Sequence, residues 1–346
     1  MTHCILDDHP ALALAMRRLL SRPLTASQAE DIFSEIGSMT ESLSLSQMDL
    51  WERAIRVELR RSEEKFWETH CSASTHTRWF SSWFDLCSGD GRTRESALLR
   101  VGPSAPSAFF LALALRRLND WVPQVRRAAR EALPDLAVNS EPGKVAEVLW
   151  TLLCHWTSWG RMDVQDRQTV AAIASQDAVS RALKSKIMGT TAGPAALVFA
   201  QCARSAVFDA WLFEFASHAV QPAVRARAFR WLLSGQVTWV VGYKWRWINL
   251  AYLEGTVEAI TESRSISVTH PFLMLLDAAS ADRSPLVRRI AAEFLIRELA
   301  TLGETARPMA QRCSSDRSRS VAERGAFALQ RLQASLPIVN AINPEA

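Results

Sequence analysis

The sequence is short of the residues that sheets and tight turns use most. Its 346 residues include only 13 Gly and 2 Tyr, and runs alternating Thr, Val and Tyr are few, which argues against an extended sheet. No stretch reaches the ~20 uninterrupted apolar residues of a membrane-spanning helix; the apolar run at 109–115 stops at Arg116 and Arg117. The six cysteines, Cys4, Cys71, Cys87, Cys154, Cys202 and Cys313, are scattered and form no C-x-x-C pair. Reduced thiols in a cytoplasmic protein are the expectation. The opening segment carries Asp7 and Asp8 and no basic stretch, so it does not read as a secretory signal. H-E-x-x-H, G-x-S-x-G and a phosphate-cradling glycine loop are all missing, so the common signatures of zinc proteases, serine hydrolases and nucleotide binders are excluded. No cofactor and no metal are expected. Lysine is scarce as well, occurring only at Lys65, Lys144, Lys184, Lys186 and Lys244. The other basic side chains are arginine, suited to bidentate contact with carboxylate or phosphate, although a bias toward Arg codons explains the same imbalance. A net charge of +4 is too small over this length to demand a polyanionic partner.

What is present is a hydrophobic content of 48% and a recurring pattern. Pro123, Val125, Ala129 and Leu133 recur as Pro222, Val224, Ala228, Leu232 and as Pro285, Val287, Ala291, Leu295. Residues four apart share one helix face, so each copy paints an apolar stripe with a small residue at its middle. The proline suits the first helical turn, where its missing N–H has no intrahelical partner. An Asp stands five residues before the Val at Asp120, Asp282 and Asp316, and an Arg follows it at Arg126, Arg225 and Arg288. From Val287 to Val321 is one step of 34 residues. The gaps of 63 and 99 residues before Val287 and Val224 fit two and three steps in the ~30–47 residue range of helical repeats. A copy is therefore expected near Val257 with a poor stripe, two degraded copies between Val125 and Val224, and one at Thr93, Arg94, Ala97 and Val101.

These residues resemble the second half of a HEAT repeat. The resemblance implies an all-α fold, a right-handed α-α superhelix of stacked helix pairs. It also implies a polar ladder along the inter-repeat turns, pairing Asp120 with Arg126 and Asp282 with Arg288 and extending to Asp316. Ala219 in place of the Asp before Val224, and Ala322 in place of the Arg after Val321, are expected to interrupt it. The domain reading is an N-terminal helical cap at 1–86, a repeat array at 87–338 and a mobile tail at 339–346. A capping box is read at Ser27 and Glu30, and a loop at 157–166.

Candidate sites follow. Trp239, Tyr243, Lys244, Trp245, Arg246 and Trp247 interleave aromatic and basic residues, which suits a binding hot spot or base stacking with phosphate contact; alternatively the rings fill a gap between helix pairs. In HEAT arrays the second helix of each pair lines the concave wall, so the resemblance offers Arg127, Arg130, Arg227 and Arg289 as exposed partner contacts. Trp79, Phe80, Trp83, Phe84 and Asp85 share residue types with HEAT-like glycosylases that excise alkylated bases from DNA, but also read as a helix with an apolar face. His70, Cys71, His76 and Cys87 match no specific zinc spacing. The functional expectation is a non-enzymatic cytoplasmic scaffold that holds a protein partner along its concave face. The alternative is a nucleic-acid-binding protein, with or without base excision.

Overall fold

The computed structural model describes residues 5–21, 24–67 and 78–334. The tail expected at 339–346 lies outside them, as do His70, Cys71 and His76. The described chain is mostly helical, with one two-stranded sheet, and it divides into two compact units, Met1–Lys184 and Ser185–Ala346.

The first unit contains α1 (Pro10–Ser21), α2 (Ala26–Thr40), α3 (Met48–Trp67), α4 (Arg78–Asp85), α5 (Gly91–Leu98), α6 (Ala108–Arg116), α7 (Pro123–Asn139), α8 (Pro142–Leu153) and α9 (Val164–Ala174). The boundary falls inside α10 (Asp177–Gly189). α5 packs on α7 and α7 on α9, while α6 packs on α8, giving two parallel rows of helices. α6 is apolar all round, and Ala108 to Leu115 are all buried, as expected of a helix enclosed on every side. Local signals set the boundaries. Pro123 and Pro142 open their helices, and Asp90 caps α5. The capping box of α2 is Thr25 with Gln28, not Ser27 with Glu30; the same Ser/Thr-x-x-Glu/Gln pattern occurs two residues earlier, where Thr25 is extended and its Oγ1 accepts from the Gln28 amide. The loop expected at 157–166 ends early, because Asp163 and Asp166 form a second capping box that starts α9.

The second unit contains α11 (Ala195–Cys202), α12 (Leu212–His218), α13 (Pro222–Ser234), β1 (Gln236–Asn249), β2 (Glu254–Ser265), α14 (Phe272–Ser280), α15 (Pro285–Arg297), α16 (Leu299–Leu302), α17 (Arg307–Ser314) and α18 (Arg319–Ala334). α13 packs on α15 and α15 on α18, with α12, α14 and α17 as their respective pairing helices. The stripe residues are buried in each unit: Val125, Ala129 and Leu133 on α7 of the first, and Val224, Ala228, Val287, Ala291, Leu295 and Val321 on α13, α15 and α18 of the second. In α18 the small middle position is Gly325, where an added Cβ would strike the backbone of Cys313 and Ser314 in α17.

One expectation is overturned here. No helical copy stands at Val257, which lies on β2. The 63 residues between Val224 and Val287 are one helical step enlarged by a β-hairpin, and α13 contacts α15 directly. Gly235, at φ +68°, ends α13 in the left-handed region and turns the chain into β1, the usual use of glycine after a helix.

Candidate functional site

The aromatic and basic cluster is the hairpin itself. Its base is anchored to the helices of the second unit. Val237 and Trp239 are buried, β1 contacts α11 and α13, and the Gln201 side chain donates to the Val240 carbonyl at 2.9 Å. On β2, Arg264 donates to the Ala203 and Ser205 carbonyls and pairs with Asp209. Beyond this base the ribbon is exposed on both faces.

A bulge decides which side chains share a face. Val240 pairs with Thr261 and Gly242 with Ile260, which leaves Val241 unpaired on β1. One extra residue exchanges the two faces of a strand. The face that begins with buried Trp239 therefore continues as Lys244 and Arg246, opposite Glu258 and Thr256, and Glu258 lies 3.4 Å from Lys244 and 3.9 Å from Arg246. The other face collects Tyr243, Trp245 and Trp247 opposite Ala259, Val257 and Gly255. Trp245 and Trp247 meet edge to face at 5.6 Å, and the Trp245 ring lies over Gly255, where any side chain would collide with it. The three aromatics are 60%, 53% and 50% exposed. Leu250, Tyr252 and Leu253 extend the apolar surface to the tip, which Asn249 shapes by accepting from the amides of Ala251 and Tyr252. The ribbon is amphipathic, with an aromatic face that none of the described residues covers.

The arginines expected along an exposed wall behave differently. Arg127 is exposed, 4.0 Å from Glu95. Arg130, Arg227 and Arg289 are half-buried rather than exposed. Arg130 donates to Asp166 at 2.6 Å and Arg227 to the Ala196 carbonyl at 2.8 Å, its pKa lowered by burial. Arg289 lies 3.6 Å from Glu293, which also pairs with Arg230 and Arg324. Asp166 lies on α9 and Ala196 on α11, so Arg130 and Arg227 reach across to neighbouring helices rather than out to solvent.

The turn residues form a repeated cassette, with a connectivity other than the expected one. Arg94 binds Asp120 through two bonds of 2.8 Å, Arg225 binds Asp282 at 2.8 and 2.9 Å, and Arg288 binds Asp316 at 2.5 and 2.9 Å. Each carboxylate also accepts the amide two residues on, from Val122, Ser284 and Ser318. Each Asp is thus gripped by the arginine of the preceding motif helix. Arg126 and Arg288 reach the Asp of their own copy only through its backbone carbonyl, at 2.9 Å. That corrects the expected pairings of Asp120 with Arg126 and Asp282 with Arg288. It also explains Ala219: Arg225 donates to the Ala219 carbonyl at 2.9 Å, a group that every residue supplies. Arg126 extends toward the weakly marked α9, its Nε 3.6 Å from Asp166.

Trp83 is fully buried, its ring 5.6 Å from Phe110, so it belongs to the core and cannot cradle a base; the Trp79 side chain lies outside the described residues. Of the four residues weighed as zinc ligands only Cys87 is described, and burial pushes its thiol up to about 12. Among the described residues no group of three His, Cys, Asp or Glu side chains is placed to hold a metal ion, and no helix is long and apolar enough to cross a membrane. No protein-family model matches the chain, and no curated protein matches it.

Proposed function

We propose that the chain is a non-enzymatic scaffold of HEAT-like helix pairs that captures a protein partner, with the hairpin as its principal grip. The observation that carries this reading is the aromatic face of Tyr243, Trp245 and Trp247, held clear of the body on a ribbon whose base is locked. Trp and Tyr dominate binding hot spots because they bury much area for little lost rotamer freedom. The stacked rows of helices and the three Arg–Asp cassettes support the solenoid part of the proposal, with residues 1–86 as its cap and the cytoplasm as its compartment. A rigid platform loses little conformational entropy on binding.

A protein is favoured over nucleic acid by the placement of charge. Lys244 and Arg246 lie on the face opposite the tryptophans and share Glu258. Base stacking and phosphate contact would need both groups on one side. Arg127 with Glu95, and Arg289 with Glu293, alternate sign along the helices instead of forming a basic channel. The test compares wild type with Trp245→Ser/Trp247→Ser and with Lys244→Ala/Arg246→Ala. We expect all three to melt together, because these side chains are exposed. A partner that co-purifies from the native host, and is then reconstituted from pure components, should lose at least tenfold affinity for the tryptophan variant only. An unchanged partner affinity overturns the reading. So does duplex binding that weakens steeply with salt and is lost with the basic pair.

A further inference from the structure

The first unit contains a cleft of two adjoining chambers. One, of about 390 Å³, is lined by charge: Arg56, Arg94, Arg116, Arg117 and Arg161. Three carboxylates oppose these arginines, Asp49, Glu52 and Asp120. The other, of about 300 Å³, has one apolar wall, made by Leu45, Met48, Ala112, Val148 and Leu152, and a polar side made by Ser46, Thr151 and His155. Both chambers are bordered by Asp49, Arg116, Ser158 and Trp159, which form their common boundary.

The charged chamber is positive by two after its internal pairs are formed. Arg94 is held by Asp120 at 2.8 Å, and Arg117 by Glu52 at 2.5 Å and Asp120 at 3.2 Å. Arg56 lies 3.3 Å from Glu52. Arg116 divides itself between Glu52, at 3.1 Å, and the exposed Asp49. Glu52 and Asp120 stay ionised inside this group. Burial raises the Glu52 pKa, but Arg117 and Arg116 lower it further, and the same competition with Arg94 and Arg117 leaves Asp120 below its ordinary value. Among the described residues Arg161 has no ion pair of its own. Its backbone amide is fixed by the Asn119 side chain at 3.1 Å, which places an exposed guanidinium at the mouth. Trp159 stands beside it at the junction, with Trp121 on the charged side.

We infer that this cleft binds a small organic dianion, a phosphate monoester whose apolar aryl or acyl group enters the second chamber and packs on its wall of Leu45, Met48, Ala112, Val148 and Leu152. Two excess positive charges match a dianion rather than a monocarboxylate, and arginine is the side chain suited to phosphate. The apolar wall has no use for inorganic phosphate, so affinity should come from joining the two halves. Binding places the phosphate between Arg161 and Arg116, where it competes with Asp49 for the Arg116 guanidinium. This site lies in the first unit and shares no residue with the hairpin, so it stands or falls independently of the protein-docking reading.

The experiment is calorimetric titration of the full chain at pH 8, where a phosphate monoester is doubly charged, with phenyl phosphate, inorganic phosphate and phenol as separate probes. Phenyl phosphate should bind at least tenfold tighter than either half. Arg161→Ala should weaken it about tenfold without shifting the melting temperature, since that side chain is exposed. Asp49→Asn should tighten it severalfold by releasing Arg116. Thr151→Trp, which fills the second chamber from its rim, should reduce phenyl phosphate to the level of inorganic phosphate. The inference is overturned if phenyl phosphate binds no better than inorganic phosphate. It is equally overturned if Arg161→Ala and Asp49→Asn both leave its affinity unchanged, for then the cleft is only a structural ion-pair network.

Discussion

At the scale of single residues, small side chains in the stripe are where helix propensity and packing oppose each other, and magnitudes decide the outcome. Gly325 sits inside α18, where alanine would be preferred by ~1 kcal/mol on propensity alone. Its missing Cβ is the space taken by the backbone of Cys313 and Ser314. Backbone cannot swing aside as the end of a side chain can, and overpacking of this kind costs ~1–3 kcal/mol or more. Packing should win: Gly325→Ala lowers stability in chemical denaturation despite the better helix former. A stabilised variant would mean that α17 and α18 do not cross at this point. The cysteines belong to the same scale. Cys154 is pushed up to about 11, and Cys202 is raised by burial, so neither thiol is poised as a nucleophile near neutral pH.

At the scale of elements, Ala129 tests the stripe directly. It is fully enclosed on α7, a helix that packs against both α5 and α9. Ala129→Asp would leave an unpaired carboxylate between helices, a loss of ~3–5 kcal/mol, and a melting temperature equal to wild type would displace Ala129 from that position. The stripes were legible in the sequence because period four over two turns has no rival explanation. The hairpin was not, although its signal was there. Tyr243, Lys244, Trp245, Arg246 and Trp247 alternate strictly, the mark of a strand with two unlike faces. Two things concealed it. The 63-residue interval fits two helical steps as well as one step plus an insertion, and the turn at 250–253 lacks the Asn-Gly or Asp-Gly pair that announces a tight hairpin. The bulge at Val241, which sorts aromatics from charges, is a matter of cross-strand register that one strand's sequence does not contain. The two-chambered cleft was illegible for a similar reason. It draws on residues from Leu45 to Arg161, brought together only by packing, and arginines read singly look like ordinary surface charge.

At the scale of the whole molecule, the Arg–Asp cassettes make stability dependent on acid in a defined direction. The hydrogen bond from Arg288 is the main cause that holds the Asp316 carboxyl below its ordinary value. For Asp120, burial pulls the other way, but the bonds from Arg94 and the Val122 amide, together with Arg117, outweigh it. A group whose pKa is depressed on folding stabilises the folded chain fully above its unfolded value. That contribution fades as pH falls through the folded value. The unfolded carboxylate titrates near pH ~4, so stability should be level with respect to these groups from about pH 5 upward and decline progressively below pH ~4. The two cassettes differ in what their loss leaves behind. Arg94 and Asp120 are both almost wholly buried, so Asp120→Asn strands a buried guanidinium and should cost ~3–5 kcal/mol. Arg288 is partly open to solvent, and Asp316→Asn should cost clearly less. Denaturant midpoints measured from pH 7 down to pH 2.5 check the sign. Wild type should lose stability below pH 4, and Asp316→Asn should lose less over the same interval, because one of the titrating groups is gone. A wild-type midpoint that stays constant or rises on acidification would mean that the carboxylates are not depressed by their arginines. The ladder would then be geometry without an energetic role.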